Sequence, residues 1–377
     1  MEVTDYELFE VPPRWLFLKV ETDSGIVGWG EPVLEGRAQT AATAVRELLE
    51  NYLVGEDPAE IERHWQQMYR GGFYRGGPIL MSALSGIDQA LWDIKGKRHD
   101  LPVYELLGGK ARDRVRLYDH FGGSTPEEVA ESARASVENG FSMIKSGPSV
   151  SWRHVDSPAT IEETRALVRA AREAVGDDVD IALDFHGRLS VPMAKRVVAE
   201  LEQFAPMFYE EPVVPEKNGE LSRIASKTTV PIATGERMYT RWEFAPVLES
   251  GAVDIVQPDV SHAGGITELR KIAAIAEVSD AAVAPHSPLG AVALAACLQV
   301  DACTHNAIVQ EQVVLQDDVP TYLNDDAVFD HDDGYVDVPT DPGLGVDVDE
   351  SALRDATEDD AWEVPPMRHD DGSVAEW

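Results

Sequence analysis

From Val115 onward the chain repeats one unit, a short apolar run followed by a stretch of helical composition. The runs are VRLYD, FSMIK, DIALDF, MFYEE, PIATGE, VDIVQPD, AAVAPH and AIVQEQ. Repeated strand–helix units need crossovers of one hand, and eight of them close into a parallel barrel. The intervening segments carry helix signals. Before EEVAESARASVENG, Thr125 is an N-cap, Pro126 takes the first helical position, Glu128 completes a capping box and Gly140 ends the helix. The last crossover is expected to be irregular, because after Gln312 the chain turns Asp-, Gly- and Pro-rich with no clear amphipathic helix until the end.

The part before the barrel is mixed. WLFLKVETDSGIVGWGE reads as two strands around a turn at Asp23-Ser24-Gly25, and helical patterns follow at about 39–53, 58–70 and 80–98. A chain of 377 residues suits one large α/β unit plus a smaller domain. The C-terminal segment is expected to return and pack on that first domain rather than form a third.

No apolar run is long enough to span a bilayer, and MEVTDYELFE lacks the basic-then-apolar pattern of a signal peptide. Cys297 and Cys303, six apart in an apolar helical stretch, match no zinc or redox spacing and read as buried thiols in a reducing, cytoplasmic compartment. The charge balance is extreme: 68 acidic against 32 basic residues, a formal −36, with only 9 lysines among the basic ones. That excludes nucleic acid and anionic membrane as natural partners. A folded chain with dispersed acids and few lysines reads as a salt-adapted, halophilic surface.

Each of the last six strand candidates finishes on an ionisable residue: Asp184, Glu210, Glu236, Asp259, His286 and Glu311. The intervals are 26, 26, 23, 27 and 25 residues, about one strand–helix unit each. In such a barrel the C-terminal strand ends converge on one mouth, so these residues should meet in space. Three carboxylates on neighbouring strands repel unless a cation holds them, and an all-oxygen set suits a hard divalent ion, Mg²⁺ before zinc. Asp184 is then the first ligand, with Glu210 and Glu236. His186, two residues on in DFHGR, falls on the same face of the strand.

His286, with Asp259 ending the neighbouring strand, forms a general-base dyad, and Glu311 across the mouth is placed to share a proton with developing negative charge. A cation, two histidines and a carboxylate partner suggest removal of a proton α to a carboxylate. The cation stabilises the enediolate, and the second histidine protonates a β-leaving group.

The sequence resembles the enolase superfamily, in its mandelate racemase-like subgroup, over nearly the whole chain. The resemblance runs through PPRW, GWGEPV, GGFYRGGPILMSALSGIDQALWDIKGK, LDFHGR, EEPV, GERM, QPDVSHAGGITE, APHSPLG, QEQ, PGLGV and SVAEW. It implies a modified TIM barrel, a (β/α)-barrel at 114–320. An α+β capping domain at 1–113 closes over the mouth, completed by the C-terminal segment 321–377. It implies Mg²⁺ at Asp184, Glu210 and Glu236, with Glu211 in a supporting place; His186 as the acid expelling a 3-hydroxyl; His286 with Asp259 as the base at C2; and Glu311 stabilising the enediolate. The activity implied is dehydration of a sugar acid, an aldonate, with D-galactonate expected and gluconate, xylonate or arabinonate as alternatives. A symmetric homo-oligomer is also implied. Arg14, in a loop at Pro12–Arg14, and the Gly71–Gly77 loop are candidates for substrate contact.

One departure stands out. Racemases of this subgroup carry Lys-x-Lys at the end of the second strand, whereas here Lys145 is followed by Ser146 and Gly147. The missing lysine disfavours 1,1-proton transfer. Lys145 reads equally as a ligand for the substrate carboxylate or as an exposed strand-end lysine. The following SGPSVSWRHVDSP is expected to form a loop over the mouth.

Overall fold

The computed structural model describes residues 1–316, 319–357, 364 and 366–376; Trp377 of the SVAEW motif lies outside them. An antiparallel sheet opens the chain, with β1 (Val3–Val11), β2 (Trp15–Thr22) and β3 (Val27–Gly30) side by side in that order. The β2–β3 turn falls at Asp23-Ser24-Gly25, where Gly25 adopts a φ of 80° that favours glycine. β1 is a strand the sequence reading passed over. It lies at the sheet edge with Asp5, Glu7 and Glu10 at exposed or half-exposed positions, so no apolar alternation announces it.

Helices α1 (Ala38–Tyr52), α2 (Ile61–Arg70), α3 (Gly77–His99) and the short α4 (Val103–Leu106) complete this layer. α3 is buried on most of its surface, and its buried positions include Ser82, Ser85, Asp88, Gln89 and Asp93. A buried helix with that many polar groups must pair them elsewhere. It does so against the barrel.

The barrel strands are β4 (Arg114–His120), β5 (Met143–Ser146), β6 (Asp180–Asp184), β7 (Phe208–Glu210), β8 (Ile232–Thr234), β9 (Ile255–Val256), β10 (Ala282–Val283) and β11 (Gln310–Glu311). Between them run α5 (Pro126–Glu138), α6 (Pro158–Val175), α7 (Val191–Leu201), α8 (Leu221–Ala225), α9 (Arg241–Glu249), α10 (Gly265–Val278) and α11 (Ala291–Ala302). Neighbours from β4 to β10 pair in parallel. β11 pairs in parallel with β4, and a bridge from Val283 to Ala307 joins the two ends, so the ring closes. The capping box on α5 is formed by Thr125 and Glu128.

Among the described residues no α-helix follows β11 before β12, only a 3₁₀ turn at Asp326–Phe329. Instead a hairpin of β12 (His331–Asp332) and β13 (Tyr335–Asp337) lays β13 antiparallel on β4, with Val336 opposite Val115. The chain then reaches α12 (Glu350–Ala356), which lies against β1; Arg354 pairs with Glu7, and Glu350 with Lys19 at 2.8 Å. The segment after Gln312 therefore touches the barrel through β13 and the first layer through α12. Cys297 is buried, as expected, but Cys303, at the end of α11, is only partly so. Among the described residues no helix is long and apolar enough to cross a membrane.

The barrel interior explains where polar side chains emerge. One residue from each strand segment forms a buried cluster: Tyr118, Met143, Ala182, Phe208, Ala233, Ile255, Ala284 and Val309. Side chains alternate along a strand, so the residue two further on faces the same interior one level higher. That step leads to His120, Lys145, Asp184, Glu210, His286 and Glu311. On β8 the step lands on Gly235, whose φ of 145° favours glycine and lets the next residue, Glu236, take the inward place.

Candidate active site

A cavity of about 450 Å³ opens at this end of the barrel. Arg14, His120, Lys145, Gly147, Asp184, His186, Glu236, Arg237, Tyr239, His262, His286 and Glu311 are among its lining residues. At its floor Asp184, Glu210 and Glu236 each offer a carboxylate oxygen, all within 4.8 Å of one another. Glu210 Oε2 and Glu236 Oε2 are buried without a hydrogen-bond partner. Lys145 is buried, so it is not an exposed strand-end lysine. Its Nζ lies 2.8 Å from Glu210, 2.9 Å from Glu311 and 3.4 Å from Asp184. It is held among three carboxylates at the inner end of the cavity that it helps to line.

Four carboxylates thus face a single ammonium. At ~4 Å, two like charges in an effective dielectric of about 20 repel by about 4 kcal/mol, too much for all to ionise unaided. Burial first, and neighbouring carboxylates second, push Glu210 and Glu236 up to about 8. A hard divalent cation answers both the charge and the orphaned oxygens, so the donor set fits one. An ion bound there would displace protons, so Mg²⁺ affinity is expected to rise with pH up through about 8 and to level off only above it. Calorimetric titration at several pH values checks this; a flat profile would contradict it.

The pairing of Asp184 with His186 arises differently from the strand alternation expected. β6 ends at Asp184, and His186 sits in a turn with φ 47°. Its N–H donates to Asp184 Oδ1 at 2.8 Å, and its Nε2 lies 3.2 Å from Asp184 Oδ2. A short side-chain acceptor two residues back stabilises such a turn, and histidine tolerates the left-handed region better than bulkier residues. Across the mouth, His286 Nδ1 lies 2.7 Å from Asp259 Oδ2, while its Nε2 is 3.4 Å from Glu236 and 3.8 Å from Glu311. β6 and β10 are four places apart in a ring of eight, so the two imidazoles flank the carboxylates from opposite sides.

Their electrostatics differ. Burial lowers the pKa of His186, with Asp184 only partly offsetting it. Burial also opposes charge on His286, but Glu311, Glu236 and Asp259 overcome it and hold that imidazole well above its usual value. Without a cation, then, His286 is biased toward its protonated form. A cation held by the triad would offset the field of Glu236 and would move His286 toward its neutral form.

Glu211, beside Glu210, turns away with its φ at 37°, and its buried carboxylate pairs with the half-buried Arg237. Glu311 accepts from Ser287 N at 2.9 Å and lies 2.8 Å from His120 Nε2. Arg14 lines the cavity, donates to Pro288 O at 2.9 Å and lies 3.4 Å from Glu35. The Gly71–Gly77 loop contributes no residue to the cavity lining among the described residues. It stands out between α2 and α3 with Phe73 and Tyr74 89% and 85% exposed. Of SGPSVSWRHVDSP, Gly147 reaches the cavity. Ser149 to Trp152 and Arg188 share a neighbouring pocket with Met367, Arg368, His369, Ala375 and Glu376 of the C-terminal segment.

Several lining residues escaped the sequence reading. His120 ends β4, one residue beyond the VRLYD run, whose last residue is Asp119, so the strand-end rule would have stopped one residue short of it. His262, from VSHAGG, and Arg237 and Tyr239, from ERMY, lie beyond strand ends, where periodicity gives no inward direction.

Family models match most of the chain. Residues 13–108 match the mandelate racemase / muconate lactonizing enzyme N-terminal domain, and 128–352 the enolase C-terminal domain-like family. The D-galactonate dehydratase of Ralstonia pickettii (strain 12J) is 51% identical over 383 residues, covering 100% of both chains. That of Xanthomonas oryzae pv. oryzae (strain PXO99A) is 50% identical with the same coverage. Among solved structures, a mandelate racemase/muconate lactonizing enzyme from Sulfitobacter sp. superposes with a TM-score of 0.89 at 34% identity. That match covers 97% of this chain and 99% of the other.

Proposed function

Because this chain belongs to the mandelate racemase / muconate lactonizing enzyme group of the enolase superfamily, we propose that it is a sugar-acid dehydratase converting D-galactonate to 2-dehydro-3-deoxy-D-galactonate and water. The observation that carries this is one cavity with an imidazole on each side of a three-carboxylate floor, one of them backed by Asp259 at 2.7 Å. The full-length dehydratase relatives supply the substrate.

Asp184, Glu210 and Glu236 would hold Mg²⁺, whose charge makes a proton α to a carboxylate acidic enough for imidazole to remove. His286 takes the C2 proton through Nε2, with Asp259 fixing the ring through Nδ1. Glu311, oriented by Ser287 N–H and His120, lies beside the charge that develops on the substrate carboxylate. His186 faces the departing 3-hydroxyl and supplies its proton. Lys145 and Arg14 are proposed to contact the substrate, Lys145 through charge beside the floor carboxylates and Arg14 from the cavity wall.

A racemase fits less well. A side chain at Gly147 would begin 3.1 Å from Asp184 O and 3.4 Å from His186 Nδ1, so a second lysine there would compete with His186.

A panel of aldonates incubated with the Mg²⁺-loaded protein, assayed for 2-keto acid, tests the reading. Galactonate should give the highest kcat/KM. Preference for gluconate or xylonate by about tenfold or more would overturn the substrate, and no 2-keto acid from any of them would overturn the activity.

The remaining proposals concern setting. With a formal −36 charge, activity and thermal stability should both rise from dilute buffer toward molar KCl, where the Debye length is about 3 Å. An optimum in dilute buffer would contradict a halophile's cytoplasm as its home. A symmetric homo-oligomer, checked by light scattering, would give the exposed Phe73, Tyr74 and Trp242 a surface to cover.

A further inference from the structure

The N-cap of α11 is Gly290, which has no side chain, and α11 makes no side-chain cap of its own. Its exposed N–H groups are met instead from the first layer. Glu31, fully buried just after β3, accepts from Gly290 N at 2.7 Å through one oxygen and from Ala293 N at 2.9 Å through the other. The carboxyl group thus caps a helix to which it does not belong; the two N–H groups and the helix dipole favour its charge, while burial outweighs them and pushes its pKa up to about 8. Glycine is required for the approach, since a Cβ at position 290 would lie 2.6 Å from Glu31 Oε1.

Glu31 also reaches the other half of the dyad. Its N–H donates to Gln89 Oε1 on α3 at 2.9 Å, and Gln89 Nε2 donates to Ser261 Oγ at 3.0 Å and Val260 O at 3.2 Å. Ser261 N donates to Asp259 Oδ1 at 2.6 Å, and Asp259 Oδ2 meets His286 Nδ1 at 2.7 Å. His286 is four residues before Gly290. Hydrogen bonds therefore link Glu31, Gln89, Ser261, Asp259 and His286 in series, and the backbone from His286 to Gly290 closes the ring back to Glu31. The rest of α3 reinforces it, with Ser85 accepting from Gly264 N at 2.8 Å and Asp88 from Thr267 N at 3.0 Å. Glu31, Gln89, Ser261 and Asp259 are all buried.

We infer that Glu31 is a positioning residue for the base: through the cap on α11 and the link to Gln89 it sets the His286–Asp259 pair from the first layer, which is thereby part of the catalytic geometry as well as a cover. The inference rests on the proposed dehydratase reading for its kinetic consequence. Glu31 is not among the residues lining the cavity, so it acts on His286 from behind, through the two loops and through its charge near Asp259. Misplacing a reacting group by about 1 Å can cost about a hundredfold in rate.

Glu31→Gln keeps the shape, loses one acceptor and turns an NH₂ against a helix N–H. With galactonate and Mg²⁺, kcat and exchange of the C2 proton with D₂O should fall together by about tenfold to a hundredfold. KM and Mg²⁺ affinity should stay within about twofold, because the metal ligands lie on β6 to β8 and the following turn, outside the ring. Gly290→Ala, at a φ of −78° that any residue adopts, presses on the same contact from the other side. It should reproduce the defect, and the double variant should be no worse than the poorer single one. Additive losses would mean two independent injuries and would overturn the inference. So would kcat and exchange at the wild-type level in Glu31→Gln, or losses matched by an equal loss of Mg²⁺ affinity. If the wild-type protein forms no 2-keto acid from any aldonate, the dehydratase reading has failed and the inference is judged on the ¹⁵N-labelled histidines. The His286 Nδ1 resonance should shift or broaden in Glu31→Gln while that of His186 stays in place, and an unshifted His286 signal would overturn it.

Discussion

Glu236→Gln is expected to bind Mg²⁺ at least ~10²-fold more weakly and to lose turnover by at least ~10³-fold. The substitution keeps the size of the side chain but removes one of three charges and one of two orphaned buried oxygens at the floor. The remaining pair, Asp184 and Glu210, already faces Lys145 at 3.4 and 2.8 Å, so little uncompensated charge is left for a cation. Glu236 also lies 3.4 Å from His286, and its loss could act through that base alone. Asp184→Asn separates the two causes, because Asp184 adjoins His186 and Lys145 instead. Both variants should lose Mg²⁺ affinity by calorimetry. Wild-type affinity in either, or undiminished activity of the unaltered protein in EDTA, would remove the metal from the account.

The two histidines should fail in different ways. His286→Asn is expected to lose C2-proton exchange and dehydration together, by about 10²–10⁴-fold each, the usual contribution of a general base. His186→Asn should impair departure of the 3-hydroxyl more than proton abstraction. It should keep measurable exchange and still expel a better leaving group, such as fluoride at C3. The electrostatics make this comparison informative. Burial biases His186 toward its neutral form, which is the wrong one for an acid, so its assignment rests on position more than on proton affinity. Equal loss of every partial reaction in both variants would leave the roles unsupported.

Most of the barrel was legible because its signals are local and repeated. Strand alternation puts a polar side chain two steps beyond every interior apolar residue but Ala233, and the mouth gathers them, so Asp184, Glu210, His286 and Glu311 could be found by spacing alone. His186 was placed beside Asp184 for a reason the structure replaces, a turn at φ 47° rather than a continuing strand. Glu236 shows a limit of the same kind, since Gly235 shifts the inward place by one residue. What sequence spacing could not reach are contacts made across the two layers. Glu31 in GWGEPV reads as one acid after a strand, and only the folded chain sets it against Gly290 and Ala293, about 260 residues away. The buried placement of Lys145 was equally invisible, because nothing in MIKSGPS indicates that three carboxylates will surround it. β1, acidic and at a sheet edge, lacked the apolar pattern that a buried strand displays.

The most direct test of the account follows D-galactonate by NMR in D₂O with the Mg²⁺-loaded protein. The C2 proton should disappear and the 3-hydroxyl should leave as water. The product should be a 2-keto-3-deoxy acid carrying one solvent deuterium at C3, delivered when the enol becomes the ketone. All of this should cease when the metal is chelated and resume when Mg²⁺ is restored. Deuterium appearing at C2 of unreacted or epimerised galactonate, with the 3-hydroxyl retained and no keto acid formed, would contradict the account and reassign the site to proton transfer without elimination.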